Sequence, residues 1–71
     1  MWIEFVKELP PEGKVVDTKI DDKDGIRNQQ KLMRNSRLML YPDGSMYVYY
    51  KPTHWWKEPA DILYNELTKT K

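Results

Sequence analysis

Arg37-Leu38-Met39-Leu40-Tyr41, then Pro42-Asp43-Gly44-Ser45, then Met46-Tyr47-Val48-Tyr49-Tyr50 sets two β-prone runs on either side of a Pro-Asp-Gly turn. Proline presets one turn dihedral and glycine admits a positive φ, so the pattern predicts a hairpin. Alternation places Leu38 and Leu40 on one face with Met39 and Tyr41 on the other, and sets Met46, Val48 and Tyr50 against Tyr47 and Tyr49. Both faces therefore carry large side chains. Such a hairpin needs a third layer, which a chain of 71 residues cannot build, or else it meets a ligand or another subunit. The segment that decides the fold thus also points to binding.

Upstream, Trp2 to Val6 reads as a strand, stopped by Leu9-Pro10-Pro11-Glu12-Gly13. Lys14 to Ile20 reads as a second strand sided by Val16, Thr18 and Ile20, and Asp21 to Gly25 as a polar turn. That turn lacks the acidic residue that would close a calcium loop, because none follows Asp24 until Asp43. Arg27 to Ser36 shows no clean period and fits either a short helix or an irregular run. Downstream, Lys51 to Pro59 reads as extended. Ala60, Leu63, Tyr64 and Leu67 share one helical face, which predicts a short C-terminal helix. The fold class expected is α+β: a small antiparallel sheet with that helix, in one domain over residues 1–71.

A chain this short buries only about 60% of its unfolded surface and needs extra stabilisation. It has no cysteine for disulfides or thiolate zinc sites and one histidine, His54, so neither staple nor metal site is expected; self-association is, as a homo-oligomer. Twelve Lys and Arg balance eleven Asp and Glu, which argues against binding DNA or RNA duplexes through net charge. Neither a signal sequence nor a membrane span is legible, so the expected location is the cytoplasm of the host cell. Three Trp and five Tyr are too many for a disordered chain.

The ingredients of catalysis are missing from the pattern. Ser36 and Ser45 lack the sharp glycine-flanked turn of a nucleophile, and three scattered glycines cannot cradle a phosphate. No enzyme activity and no cofactor are expected. What remains suits a flat anionic ligand. Arg27, Arg34 and Arg37 stand among Asn28, Gln29, Gln30 and Asn35, with Tyr47, Tyr49, His54, Trp55 and Trp56 downstream. Guanidinium groups fork phosphates, amides read base edges and aromatic faces stack on bases. The residues selected as ligand-binding are Arg27, Arg34, Asn35 and Arg37 for phosphates or base edges, and Tyr47, Tyr49 and Trp55 for stacking. Against this stands the plainer view that surface arginines are solvated and that Tyr and Trp fill cores or subunit contacts. His54 fits a loop-pinning hydrogen bond better than a ligand role, Asn28 and Asn35 fit turn caps, and Trp2 reads as a core anchor.

The opening Trp2-Ile3, the Leu9-Pro10-Pro11 with Gly13 and Val15-Val16, and the closing Thr53-His54-Trp55 with Pro59 resemble a family of short phage and prophage proteins of unknown function. The resemblance covers about the first sixteen residues and the last third, and implies a phage origin and a small, mostly β fold. In size and residue character the chain is also similar to the phage sponge proteins, anti-CBASS factors that bind cyclic nucleotide signals of bacterial immunity. That likeness implies an oligomer holding its ligand between subunits, aromatic groups on the bases and basic or amide groups on phosphates and base edges. The function expected is sequestration of a cyclic nucleotide without cleavage. The alternatives are a small inhibitor that blocks a host protein through the same aromatics, and an assembly factor with no small ligand.

Overall fold

The computed structural model describes residues 1–59; the helix expected from Ala60 onward lies outside them. Five strands form one antiparallel sheet: β1 (Trp2–Glu4), β2 (Val15–Asp22), β3 (Gly25–Asn35), β4 (Leu38–Leu40) and β5 (His54–Trp56). Their order across the sheet is β1-β5-β2-β3-β4, so the first and last strands pair with each other and insert beside the central hairpin.

The β2–β3 hairpin is the backbone of the fold. Asp22 pairs with Gly25 across Lys23 and Asp24, the Asp24 N–H bonds to Asp22 Oδ1 at 2.9 Å, and Gly25 takes φ 105°. A side chain there would be strained, which is why this polar turn ends in glycine. The run from Arg27 to Ser36, whose form the sequence leaves open, is neither helix nor irregular: it makes up most of the longest strand. Its period is broken by a bulge. Thr18 pairs with Gln30 and Ile20 with Arg27, so Asn28 and Gln29 stand opposite the single Lys19, and Asn28 adopts φ 55°. A left-handed residue at the head of a bulge favours Gly or Asn. The bulge puts Arg27 and Gln30 on one side of the sheet although they are three apart, a spacing that imitates a helix.

The hairpin anticipated between Leu38 and Tyr50 turns as expected but pairs differently. Tyr41 N–H bonds to Met46 O at 3.0 Å and Gly44 N–H to Tyr41 O at 2.8 Å, closing the Pro-Asp-Gly turn. Its returning arm makes only a bridge, Leu40 to Tyr47, with Val48 N–H on Met39 O. β4 takes β3 as its strand partner instead, through the tight turn at Ser36 and Arg37. Met39 and Val48 face inward, whereas Leu38, Tyr47 and Tyr49 are exposed. The first strand also stops at Glu4, two residues before the Val6 expected, because Lys7 and Glu8 turn back onto the Glu4 carbonyl.

Register assigns one face to Ile3, Trp55, Val16, Thr18, Ile20, Gln30, Leu32, Arg34 and Met39. Val16, Thr18 and Ile20, the residues expected to side the second strand, are all buried. Two segments cross this face. Phe5 to Glu12 passes over Trp55, whose indole N–H donates to Glu8 O at 2.8 Å, and Pro10 is fully buried beneath it. Tyr47 to Thr53 crosses the other way, with Val48 packed on Leu32 and Met39, and Phe5 and Tyr50 against the same cluster. Leu32 has no exposed surface; truncation to alanine would cost about 2–5 kcal/mol, a large share of the stability of so small a domain. The opposite face carries Trp2, which is half-buried rather than a core residue, edge-on to Trp56 at 5.3 Å with the Lys19 ammonium 4.2 Å over its ring.

Candidate functional site

A strand pair fixes its residues rigidly, and a crossing segment can stand clear of them; where two crossings diverge over one face, a groove opens. Here it lies between Phe5–Leu9 and Tyr47–Thr53 and has a volume of about 660 Å³. Its lining includes Phe5, Val6 and Leu9 from one wall, Tyr47, Val48, Tyr49, Tyr50 and Lys51 from the other, and Arg34, Arg37, Leu38 and Met39 from β3, β4 and their turn. The size falls within the range of about 300–1,000 Å³ usual for small-molecule sites.

Arg34 is fixed by its own hydrogen bonds. Its Nε donates to Pro10 O at 2.6 Å and its Nη1 to Ser36 O at 2.7 Å, which leaves Nη2 for another acceptor. These bonds also tie the first crossing to the β3–β4 turn. That turn is strained and braced: Ser36 has φ 57° and its N–H bonds to Glu12 Oε1 at 2.6 Å. Arg37 sits beside it, exposed, with no hydrogen bond or ion pair to any described residue. An unengaged guanidinium at a groove mouth is a ready fork for an anion.

Tyr50 is held by Gln30, whose Nε2 donates to its hydroxyl, so its ring stays against the core. Tyr49 stands edge-on to it at 5.8 Å and is 93% exposed, with Tyr47 58% exposed nearby. At the far end, Thr53 is locked by several contacts, among them its N–H on Lys19 O, its carbonyl accepting from Phe5 N–H, its hydroxyl accepting from Asp21 N–H, and a 2.7 Å bond between Oγ1 and His54 Nδ1. His54 therefore pins a neighbouring side chain rather than a backbone carbonyl, and its Nε2 has no partner among the described residues. Glu4 and Asp21 also line the groove, but each faces a lysine, Lys7 and Lys19, at 3.2 Å.

Of the seven residues selected from the sequence, Arg34, Arg37, Tyr47 and Tyr49 meet at this groove. The other three stand elsewhere. Trp55 is 2% exposed in the core, with no ring face open for stacking. Arg27 is engaged at the far turn, bidentate to Asp22 at 2.8 and 3.2 Å. That hydrogen bond, with help from the Asp24 N–H, holds the Asp22 carboxyl below the usual carboxylate value and pushes Arg27 further up. Asn35 pairs with Leu38 at the strand end and does not line the groove. Lys51 and Phe5 were missed. Lys51 has no sequence signal of its own, and Phe5 is placed at the groove only because the chain leaves β1 after Glu4.

Among the described residues no three metal-binding side chains cluster, and no helix is long and apolar enough to cross a membrane. Comparison with family models, with curated proteins and with solved structures returns no match.

Proposed function

We propose that this is a phage counter-defence protein that binds and sequesters a cyclic nucleotide signal in the groove and does not cleave it. The supporting observation is the convergence of Arg34, Arg37, Tyr47 and Tyr49, chosen for phosphate and base chemistry, on one groove of ligand size. In this reading Arg37 and the free Nη2 of Arg34 take phosphate oxygens, and Tyr49 and Tyr47 cover a base from outside. Stacking of this kind contributes about 1–3 kcal/mol per base. Sequestration needs only mass action: the protein must exceed the signal in concentration and bind it more tightly than the signal's own level.

A thermal shift series with cyclic mono-, di- and trinucleotides tests this. At a hundredfold excess over Kd, binding stabilises the native state by about 2.7 kcal/mol, an upward shift on the order of 10 °C for a domain this size. Recovery of the nucleotide intact after heating the complex is the second requirement. A flat series would overturn the proposal.

One observation favours a second reading. Met46, Tyr47 and Tyr49 on the arm that forms one wall of the groove are 64%, 58% and 93% accessible, and exposed aromatics of this kind anchor protein interfaces. A second copy of the chain or a host enzyme would fit there; a host protein captured by the wild type and lost on Tyr49→Ala would favour the inhibitor.

A further inference from the structure

We propose that the face of the sheet turned away from the groove carries a second binding site, one that takes a single pyranose ring of a neutral carbohydrate. Its lining has no residue in common with the groove, so it stands independently of the nucleotide reading.

Sheet order and register build this site. Trp2 pairs with Trp56, and Asp17 with Lys31. Thr18 pairs with Trp55, so one step along the same two strands sets Trp56 level with Asp17. Residues level with one another across an antiparallel sheet lie on one face. Trp2, Trp56, Asp17 and Lys31 therefore form a row over β1, β5, β2 and β3, about 14 Å long at about 4.8 Å per strand. The bulge adds Gln29, which stands with Asn28 opposite the single Lys19 and borders the same hollow with an exposed side chain. That hollow has a volume of about 270 Å³. Sites for larger ligands usually run to about 300–1,000 Å³, so this one has room for a single sugar ring and not for a nucleotide.

The charges select a neutral ligand. Lys31 Nζ bonds Asp17 Oδ1 at 2.9 Å, and Lys19 is paired with Asp21 at 3.2 Å while its ammonium lies 4.2 Å over the Trp2 ring. A cation would meet Lys19 where the ring electrons are already engaged, and an anion would meet the Asp17 carboxylate at the centre of the row. The two indoles, with centroids 5.3 Å apart and planes at 77°, form a corner of one ring face and one ring edge. The C–H face of a pyranose buries apolar surface against such a corner and turns its hydroxyls to the rim. A hydroxyl donates and accepts at once. It therefore fits beside the ion pair, donating to Asp17 Oδ2 and accepting from Lys31, and leaves neither charge unpaired. The Gln29 amide offers both a donor and an acceptor to the next hydroxyl. A purely apolar ring would strip water from the same groups and return no hydrogen bond.

The three indole N–H signals of the ¹⁵N-labelled full chain test the proposal, because Trp2 and Trp56 belong to the site and Trp55 is buried in the core. D-glucose, D-galactose, D-mannose and N-acetyl-D-glucosamine are titrated to about 10 mM, enough to fill most of a site whose Kd is about 1 mM. We expect at least one sugar to shift the Trp2 and Trp56 indole signals and the Gln29 amide saturably, with Trp55 unmoved. Gln29→Ala and Lys31→Ala, both at exposed positions, should each weaken binding by about threefold or more, and Trp56→Ala by about tenfold or more. Should Trp56→Ala fail to fold, the two exposed variants carry the test. Tyr49→Ala, across the sheet, should leave the sugar affinity unchanged. No saturable shift with any of the sugars, shifts confined to groove residues, or undiminished affinity in a Gln29→Ala and Lys31→Ala double variant would overturn the proposal, and each leaves nucleotide binding in the groove to its own test.

Discussion

The indole N–H of Trp55 donates to the carbonyl oxygen of Glu8 at 2.8 Å, joining the last described strand to a loop 47 residues earlier in the chain. The bond is part-buried, joining the buried indole to an outer loop, and its loss leaves that carbonyl without a protein partner. Trp55→Phe should keep most of the packing yet destabilise the fold by about 1–3 kcal/mol, and Trp55→Ala by about 3–5 kcal/mol. Urea unfolding followed by circular dichroism reads both. A Phe variant as stable as the wild type would show that the indole contributes through its bulk alone.

Asn28 heads the bulge of β3 in a left-handed conformation. Asn28→Val should cost about 1–2 kcal/mol, since a β-branched side chain is penalised at positive φ, while Asn28→Gly should be neutral or stabilising. The pair of unfolding midpoints separates backbone strain from any loss of the Asn side chain, which would make both variants weaker.

Acid should loosen the turns. The Asp22 carboxyl is held low by its hydrogen bond from Arg27, and Asp43 by Ser45, whose N–H lies 2.9 Å from Asp43 Oδ1. A depressed carboxyl contributes stability that is present above its unfolded value of about 3.8 and is lost as pH falls through the lower folded value. Unfolding midpoints should therefore fall between pH 5 and pH 2 (about one unit above and two below that value), and Asp22→Asn with Asp43→Asn should flatten the decline. An unchanged acid limb in the double variant would assign it to other carboxyls.

Two arginines should separate cleanly. Arg37→Ala should leave the melting temperature within the small range typical of surface substitutions and weaken ligand binding by about tenfold or more. Arg27→Ala should do the reverse, altering the β2–β3 turn and leaving affinity alone, because Arg27 is bonded to Asp22 away from the groove. Loss of affinity in both variants would point to a general field effect.

What was legible in the sequence follows from how local each signal is. The Pro-Asp-Gly turn and the polar turn before Gly25 are encoded by a few adjacent residues, and both form where read, the second narrowed to Lys23 and Asp24 because Asp21, Asp22 and Gly25 join the strands. The strand through Arg27 to Asn35 was illegible because its bulge at Asn28 shifts the alternation midway. The pairing of β4 depends on competition: β3 offers a long regular edge and the arm from Met46 does not. Among site residues, Arg34 and Arg37 were legible from type and neighbourhood. Trp55 misled because a tryptophan beside a histidine looks the same in sequence whether it stacks on a ligand or fills a core. Ile3 stands beside Trp55 and Glu8-Leu9-Pro10 passes over it, so these segments hold the frame.

That frame and the groove are built from different material. The floor is sheet, clamped by bonds between distant strands, whereas Val6 and Tyr49 on the two rims are 91% and 93% exposed. Under selection, the rims are therefore free to drift while the frame is not. A lineage carrying this chain could reshape the groove by altering a handful of rim side chains, each nearly neutral for folding, and retain an unchanged architecture throughout.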